Sequence, residues 1–210
     1  MSTFNIDCRD CPRLSTFLDG VKIKYPEYHA RPVDAFGADT PRMLIVGLAP
    51  GMHGANATGR PFTGDYAGVL LYKALYQHGF ANADESVSQN DGLVLHQCKI
   101  TNAVKCLPPE NKPLTDEIKQ CNHFLKAELE ALDKGSIVLT LGGIAHNAVL
   151  RALELKLKNY PFGHGVEYDL PSGHHLMTSY HCSRYNTQTR RLTEEMFMDV
   201  LARIRTYIDT

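Results

Sequence analysis

The chain has 210 residues, 43% of them apolar and 21% charged, with a formal net charge of −1. That is an ordinary globular composition at a length suited to one domain, and it excludes a disordered tail protein, a collagen-like repeat and a small disulfide scaffold. No apolar run approaches the roughly 20 residues that span a membrane, and any nucleic acid would have to be held by a local basic surface, because the global charge attracts none.

Residues 1–42 are polar and turn-rich, with Pro12, Pro26, Pro32 and Pro41. They read as an irregular N-terminal arm with one short helix near 14–21. The opening residues lack the apolar stretch of a secretory signal, so the expected compartment is the reducing cytoplasm. The run 43–48 reads as a buried strand that opens into a long loop, 49–65, rich in Gly, Asn, Thr and Pro; a loop of that length is usually functional. A helix is expected from Tyr66 to His78, stopped by Gly79, followed by a polar loop over 81–92.

Strand character runs from Leu93 to Lys105, broken near Cys98. Thr115 reads as the N-cap of the next helix, with Asp116 and Glu117 in its first turn and Ile118, Cys121, Leu125, Leu129 and Leu132 at helical spacing. A second buried strand is expected at 137–141, a helix from Gly142-Gly143 to about Leu155, a short strand at 176–180 and a loop at 181–192. A last helix starts at 193–195 and puts Met196, Phe197, Val200, Leu201, Ile204 and Ile208 on one face. Alternating strands and helices predict a three-layer α/β/α fold with a central, mainly parallel sheet. The loops after the strands then gather at its carboxyl edge, where such sheets bind ligands.

Three constellations carry chemistry. Cys8 and Cys11 form a C-x2-C knuckle, and Cys106 and Cys121 lie together after a strand and in the following helix. Four thiolates can close a zinc site or an iron–sulfur cluster, although Cys121 also falls on an apolar face, where free cysteine is a common small hydrophobe. Cys98 and Cys182 belong to no knuckle. The second constellation is GLAPGMHGANATGRPFTGD, residues 47–65. It lacks the Lys-Ser/Thr of a P-loop and the spacing of a dinucleotide fold, but its glycines permit close backbone approach to a flat or anionic group. Phe62 either stacks on that group or anchors the loop in the core. The third is YHCSRYNTQTRRLTEEMF, 180–197, in which Arg184, Arg190 and Arg191 stand with Tyr185 and no acid before Glu194, a composition suited to a nucleic-acid backbone. His174 and His175 are adjacent in a strand, so they point apart and share no metal.

These motifs, with ITNAVKCLPP at 100–109, resemble the uracil-DNA glycosylase superfamily. They are most similar to its type-5, broad-specificity branch, next to the iron–sulfur type-4 branch. The resemblance runs from Cys8 to the last helix, and it implies one domain over 1–210 with the arm (1–42) tied in by a metal cluster. It implies a [4Fe-4S] cofactor on Cys8, Cys11, Cys106 and Cys121, and a hydrolase that removes uracil and other deaminated bases (hypoxanthine, xanthine) from DNA. The partner is damaged DNA, the expected state a monomer, and the location cytoplasmic and nucleoid-associated. Two positions depart from the pattern: Cys182 stands where many members have Pro, and Arg190 where the type-5 pattern has Gly.

On this resemblance Phe62 stacks on a flipped base, Asn102 reads its polar edge, and Ala49 and Gly51 close the pocket. Ala49 stands where other branches carry an acid or Asn that positions the water. His181 donates to the base oxygen as charge develops there. Asn56 is the first candidate to hold the attacking water and Asp65 the second, since Asp65 can instead cap the helix at Tyr66. Arg184, Tyr185, Arg190 and Arg191 meet the DNA. The remaining alternatives are a non-catalytic iron–sulfur nucleic-acid-binding protein and an iron–sulfur electron carrier.

Overall fold

The structure, a computed structural model, describes residues 4–210. Its elements in chain order are α1 (Pro12–Lys24), β1 (Phe36–Gly37), β2 (Met43–Gly47), α2 (Ala55–Thr58), α3 (Tyr66–Gln77), β3 (Cys98–Asn102), α4 (Thr115–Glu130), β4 (Ile137–Leu141), α5 (Gly143–Ala152), β5 (Glu167–Asp169), β6 (His175–Ser179), α6 (Arg184–Gln188) and α7 (Glu194–Asp209). They form one six-stranded sheet in the order β1-β3-β2-β4-β6-β5. The four central strands are parallel, and the two short edge strands are antiparallel to their neighbours.

The apolar runs become central strands because helices cover both faces, so every position must be buried. β2 alternates accordingly. Met43 and Ile45 pack with Leu71 and Leu75 of α3 and with Phe197, Val200, Leu201 and Ile204 of α7. Leu44 and Val46 pack with Leu14 and Leu18 of α1, Leu125 and Leu129 of α4, and Val149 and Leu150 of α5. Full burial of each such side chain is worth about 1.5–3 kcal/mol. The mainly parallel three-layer fold is therefore the observed one. Among the described residues no helix is long and apolar enough to cross a membrane.

Several local expectations are corrected. Thr115 is the first residue of α4, and its N-cap is Leu114; Glu117 does the capping chemistry, accepting from the Leu114 N–H at 2.7 Å. Only 98–102 of the stretch 93–105 is strand. The loops 49–65 and 181–192 each contain a short helix, α2 and α6. α1 extends to Lys24, with Pro12 in its first turn, where the missing N–H is harmless. α7 begins as expected, with the Thr193 side chain accepting from the Met196 N–H. His174 and His175 do point apart: His174 bonds Ser172, whereas His175 bonds Asp169 and Glu167.

β2 and β3 end level at Gly47 and Asn102, and β4 and β6 end level at Leu141 and Ser179. The chain leaves β2 for β3 through α3 on one face and returns to β4 through α4 on the other. That reversal makes a crevice at the carboxyl edge between the two strand pairs.

Candidate active site

The loop after β2 is set by close backbone approaches. A Cβ on Gly68 would lie 1.9 Å from the carbonyl oxygen of Phe62, and the Tyr72 hydroxyl donates to the Pro61 carbonyl at 2.7 Å. Phe62 itself takes φ 58°, a conformation held only by such surroundings. Its ring is 6% exposed and belongs to the core, so it is an anchor, and it also faces the site: its centroid stands 5.9 Å from that of His181 at 27°. Gly47 is where the strand meets both. A Cβ there would lie 2.5 Å from Asn102 Oδ1 and 2.7 Å from Phe62 Cζ. Asn102 is 3% exposed.

His181 follows β6, against Gly142 at φ 95°. Burial pushes its imidazole down to about 4, so the ring is neutral at physiological pH and one nitrogen carries a proton to donate. Asn186 Nδ2 bonds the His181 carbonyl at 2.8 Å and fixes the residue at the start of α6.

Asp65 precedes α3, but its carboxylate does not cap that helix. It turns back into the loop and accepts from the Ala55 N–H at 3.1 Å. A Cβ on Gly51 would come within 2.4 Å of Asp65 Oδ1, and one on Gly54 within 2.0 Å. The two glycines therefore make room for this carboxylate; Gly51 does not act as open pocket wall. Burial raises the Asp65 pKa above its ordinary value, against lowering by the Ala55 and Gly51 backbone and by His53. Asn56 is fully buried, its Nδ2 bonds the Met52 carbonyl at 3.4 Å, and its Oδ1 has no partner. Ala49 is half-buried.

The arginine loop splits in two. Arg184 lies over the Tyr66 ring at 4.9 Å, and Arg191 over Tyr180 at 4.6 Å, with Tyr185 71% exposed. Arg190 has φ 55°, which accounts physically for glycine at the matching position of the type-5 pattern. Cys182 is completely buried in the core beside them.

Cys8, Cys11, Cys106 and Cys121 line one pocket with Leu14, Val104 and Phe124. Cys98 and Cys182 are elsewhere in the core. The Lys105 N–H points at Cys121 Sγ, 3.3 Å away. Burial pushes the Cys121 thiol up to about 11. Among the described residues no three His, Cys, Asp or Glu side chains form a site for a single metal ion. The donor set, four thiols around a mostly apolar pocket, fits a multinuclear cluster, which holds its ligands farther apart than one ion does.

Residues that the sequence reading passed over support this site. Arg60 is 5% exposed and pairs with Asp91 at 2.7 Å, and it also bonds Ser86 Oγ and the Gln89 carbonyl. The polar loop 81–92 is thereby clamped onto the glycine-rich loop. On the other side, the His29 and Ala30 N–H groups donate to the Ala57 and Asn56 carbonyls, and Val33 N–H to the Lys105 carbonyl. The arm thus runs from the glycine-rich loop to the cysteine pocket. No local signal marks these ties; only the unusual density of glycines at 47, 51 and 54 hinted at close neighbours.

The model of the uracil DNA glycosylase superfamily matches residues 35–205, and the chain belongs to that superfamily. Within it, the chain is 45% identical over 199 residues to the type-5 uracil-DNA glycosylase of Thermus thermophilus, covering 92% of this chain and 90% of that one. It is 40% identical to the type-5 enzyme of Pyrobaculum aerophilum, over 94% and 88%. The type-4 enzyme of Saccharolobus solfataricus is more distant, at 28% over 85% and 79%.

Proposed function

We propose that the chain is a DNA-repair glycosylase that hydrolyses the N-glycosidic bond of uracil in DNA and leaves an abasic site. The observation that carries this reading is the convergence of a neutral His181 and the Asn102 edge on Phe62 at the carboxyl edge of the sheet, with a non-capping Asp65 turned into the same loop. An electron carrier or a non-cutting binding protein has no use for that arrangement.

A base cannot be reached inside the stack, so the nucleotide rotates out, at a cost of a few kcal/mol that is least for a mispaired base. The Phe62 ring receives the base, and the Asn102 amide, able to donate and accept, reads its edge. As the bond breaks, the sugar becomes cationic and the base anionic. His181 Nε2 or Nδ1 donates its proton as a hydrogen bond to the base oxygen without transferring it. Asp65 holds the water that attacks the sugar, ahead of Asn56. This order, the opposite of the one suggested by the sequence, is supported by the full burial of Asn56 and the partly exposed carboxylate of Asp65, whose pKa burial raises. Ala49 lines the lip and takes no part in proton transfer.

The same site supports release of deaminated purines such as hypoxanthine or xanthine, since the half-buried Ala49 bears no bulky blocking group. Gly51→Tyr should displace Asp65 and abolish turnover on every base. The cysteine pocket would hold a [4Fe-4S] cluster, whose iron–thiolate bonds supply folding energy that ties the arm to α4.

The direct test is incubation with duplexes carrying uracil or hypoxanthine, followed by alkali. Strand scission at the modified site is expected, and scission at neither base rejects the reading. Protein purified without air should carry about four irons per chain; stoichiometric zinc would overturn the cluster.

Two variants extend the test. His181→Ala should lower the single-turnover rate by about 10²–10³ while DNA affinity changes little, because its bond strengthens only in the transition state. Equal losses in both would make His181 a binding residue. Arg190→Gly removes a left-handed non-glycine residue, worth about 1–2 kcal/mol of strain, against about 0.5–1 kcal/mol of added chain entropy. Its melting temperature should hold or rise, and the salt slope of DNA binding should fall by about 0.9.

A further inference from the structure

We infer that DNA is also held by a second surface, at the C-terminal end of α1, which is tied through His53 to the glycine-rich loop; this rests on the glycosylase reading. Lys22 and Lys24 lie in the last turn of α1. Both are exposed, and neither forms an ion pair among the described residues. Between them Ile23 is 82% exposed. The chain then turns so that Tyr25 and Tyr28 stack at 4.6 Å and 14°, and Lys24 lies over the Tyr25 ring. Glu27 is the single acid of the segment 22–28.

This segment is joined to the catalytic loop. His53, exposed and two residues from Gly51, meets both tyrosines edge-on. Its Nδ1 is 2.8 Å from the Tyr28 hydroxyl. A phenol donating to Nδ1 leaves the proton on Nε2, aimed away from the pair as a donor. The backbone bonds from His29 and Ala30 to Ala57 and Asn56 hold the segment in fixed register with α2. Two cations and an exposed apolar side chain therefore lie on one segment tied, through the exposed His53 imidazole, to the glycine-rich loop.

The partner that this chemistry fits is the phosphate backbone flanking the flipped nucleotide. Phosphates lie on both sides of an extruded base, so the backbone offers contacts to more than the arginine loop. Lysines and N–H donors are the usual positioning contacts to such a backbone. The function of the surface is to grip the strand while the base is out.

The test is DNA binding by fluorescence anisotropy, on a duplex with a stable abasic analogue, across a range of salt concentrations. The doubly charge-reversed K22E/K24E protein should bind about tenfold more weakly than wild type at moderate salt. Its slope of log K against log salt should be shallower by about 1–2, since each lost phosphate contact is worth about 0.9. Tyr28→Phe, which frees the His53 tautomer, should bind about threefold more weakly with little change in melting temperature. Unchanged affinity and slope in K22E/K24E would overturn the proposal. So would weaker binding at an unchanged slope, which would trace the loss to a distorted catalytic loop. If the wild-type protein released no uracil, the excision reading would fail, and the salt slopes would still decide whether this surface meets DNA.

Discussion

Asp65→Ala is expected to lower the single-turnover rate of uracil release by about 10²–10⁴, the usual contribution of a positioned base. The carboxylate is aimed by the Ala55 N–H and seated between two glycines that leave no room for anything else. Removing it leaves the water unheld, yet touches neither Phe62 nor Asn102. Uracil-DNA affinity should therefore change less than threefold, as gauged by the ratio of kcat and KM effects. Asp65→Asn should be nearly as slow, because an amide can place a water but cannot take its proton. Asn56→Ala should lose less than tenfold. A reversed ranking would return the water to Asn56.

The pH profile follows with a definite sign. The active form of Asp65 is the carboxylate, and burial raises its pKa above 3.8. Activity should fall as pH drops through that raised value, so the acid limb lies above 3.8, the ordinary value of the group. His181, pushed down to about 4, is already neutral there and should add no break near 6.5. A break at that pH, lost in His181→Ala, would refute the neutral donor.

Asp91→Ala should destabilise the fold by about 3–5 kcal/mol, the cost of leaving a buried cation without its partner. Arg60 is 6% and Asp91 10% exposed at the side chain. Asp91 also accepts from the backbone N–H groups of Val87, Ser88 and Leu93. Burial pushes its pKa up, but the Arg60 bond and those N–H groups outweigh it and hold it far below the usual carboxylate range. A depressed folded-state pKa stabilises the protein at pH values above the unfolded value, about 3.9. The contribution shrinks as pH falls below that value and is gone below the folded pKa. Wild type and Asp91→Ala should therefore converge in urea midpoint as the pH is lowered below about 4. A constant gap down to pH 2 would show that the pair does not titrate as drawn.

How much of this was legible in the sequence depends on the range of the interaction. β2 and β4 were readable because burial on both faces demands an uninterrupted apolar run, and α7 because its buried face repeats at helical spacing. β1 and β5 were not, since strands of two and three residues exist only through a partner. α6, five residues without a buried face, leaves no periodic trace. At the site, motif and resemblance brought Phe62 together with His181, and Cys8 and Cys11 with Cys106 and Cys121, and the structure places each set in one neighbourhood. The partnership of Arg60 and Asp91, in separate loops, was not legible. Nor was the choice between Asp65 as a cap and as a carboxylate turned back into the loop, because both place the same residue before the same helix.

The arm has a consequence for synthesis of the chain. Arg13 pairs with Glu117 at 2.7 Å across 104 residues of sequence, and Cys8 and Cys11 face Cys106 and Cys121 across a similar interval. At about 5–20 residues per second on the ribosome, the first two thiols emerge about 5–20 s before their partners exist. During that time the arm has nothing to close upon, and its knuckle is open to oxidants and stray metal. The backbone ties from His29 and Ala30 to the catalytic loop form from segments made early, whereas the anchoring of Cys8, Cys11 and Arg13 waits for α4. For the proposed cluster, delivery of iron to the nascent chain would thus be a late event, and a chain stalled before α4 would carry two thiols whose partners no local folding supplies.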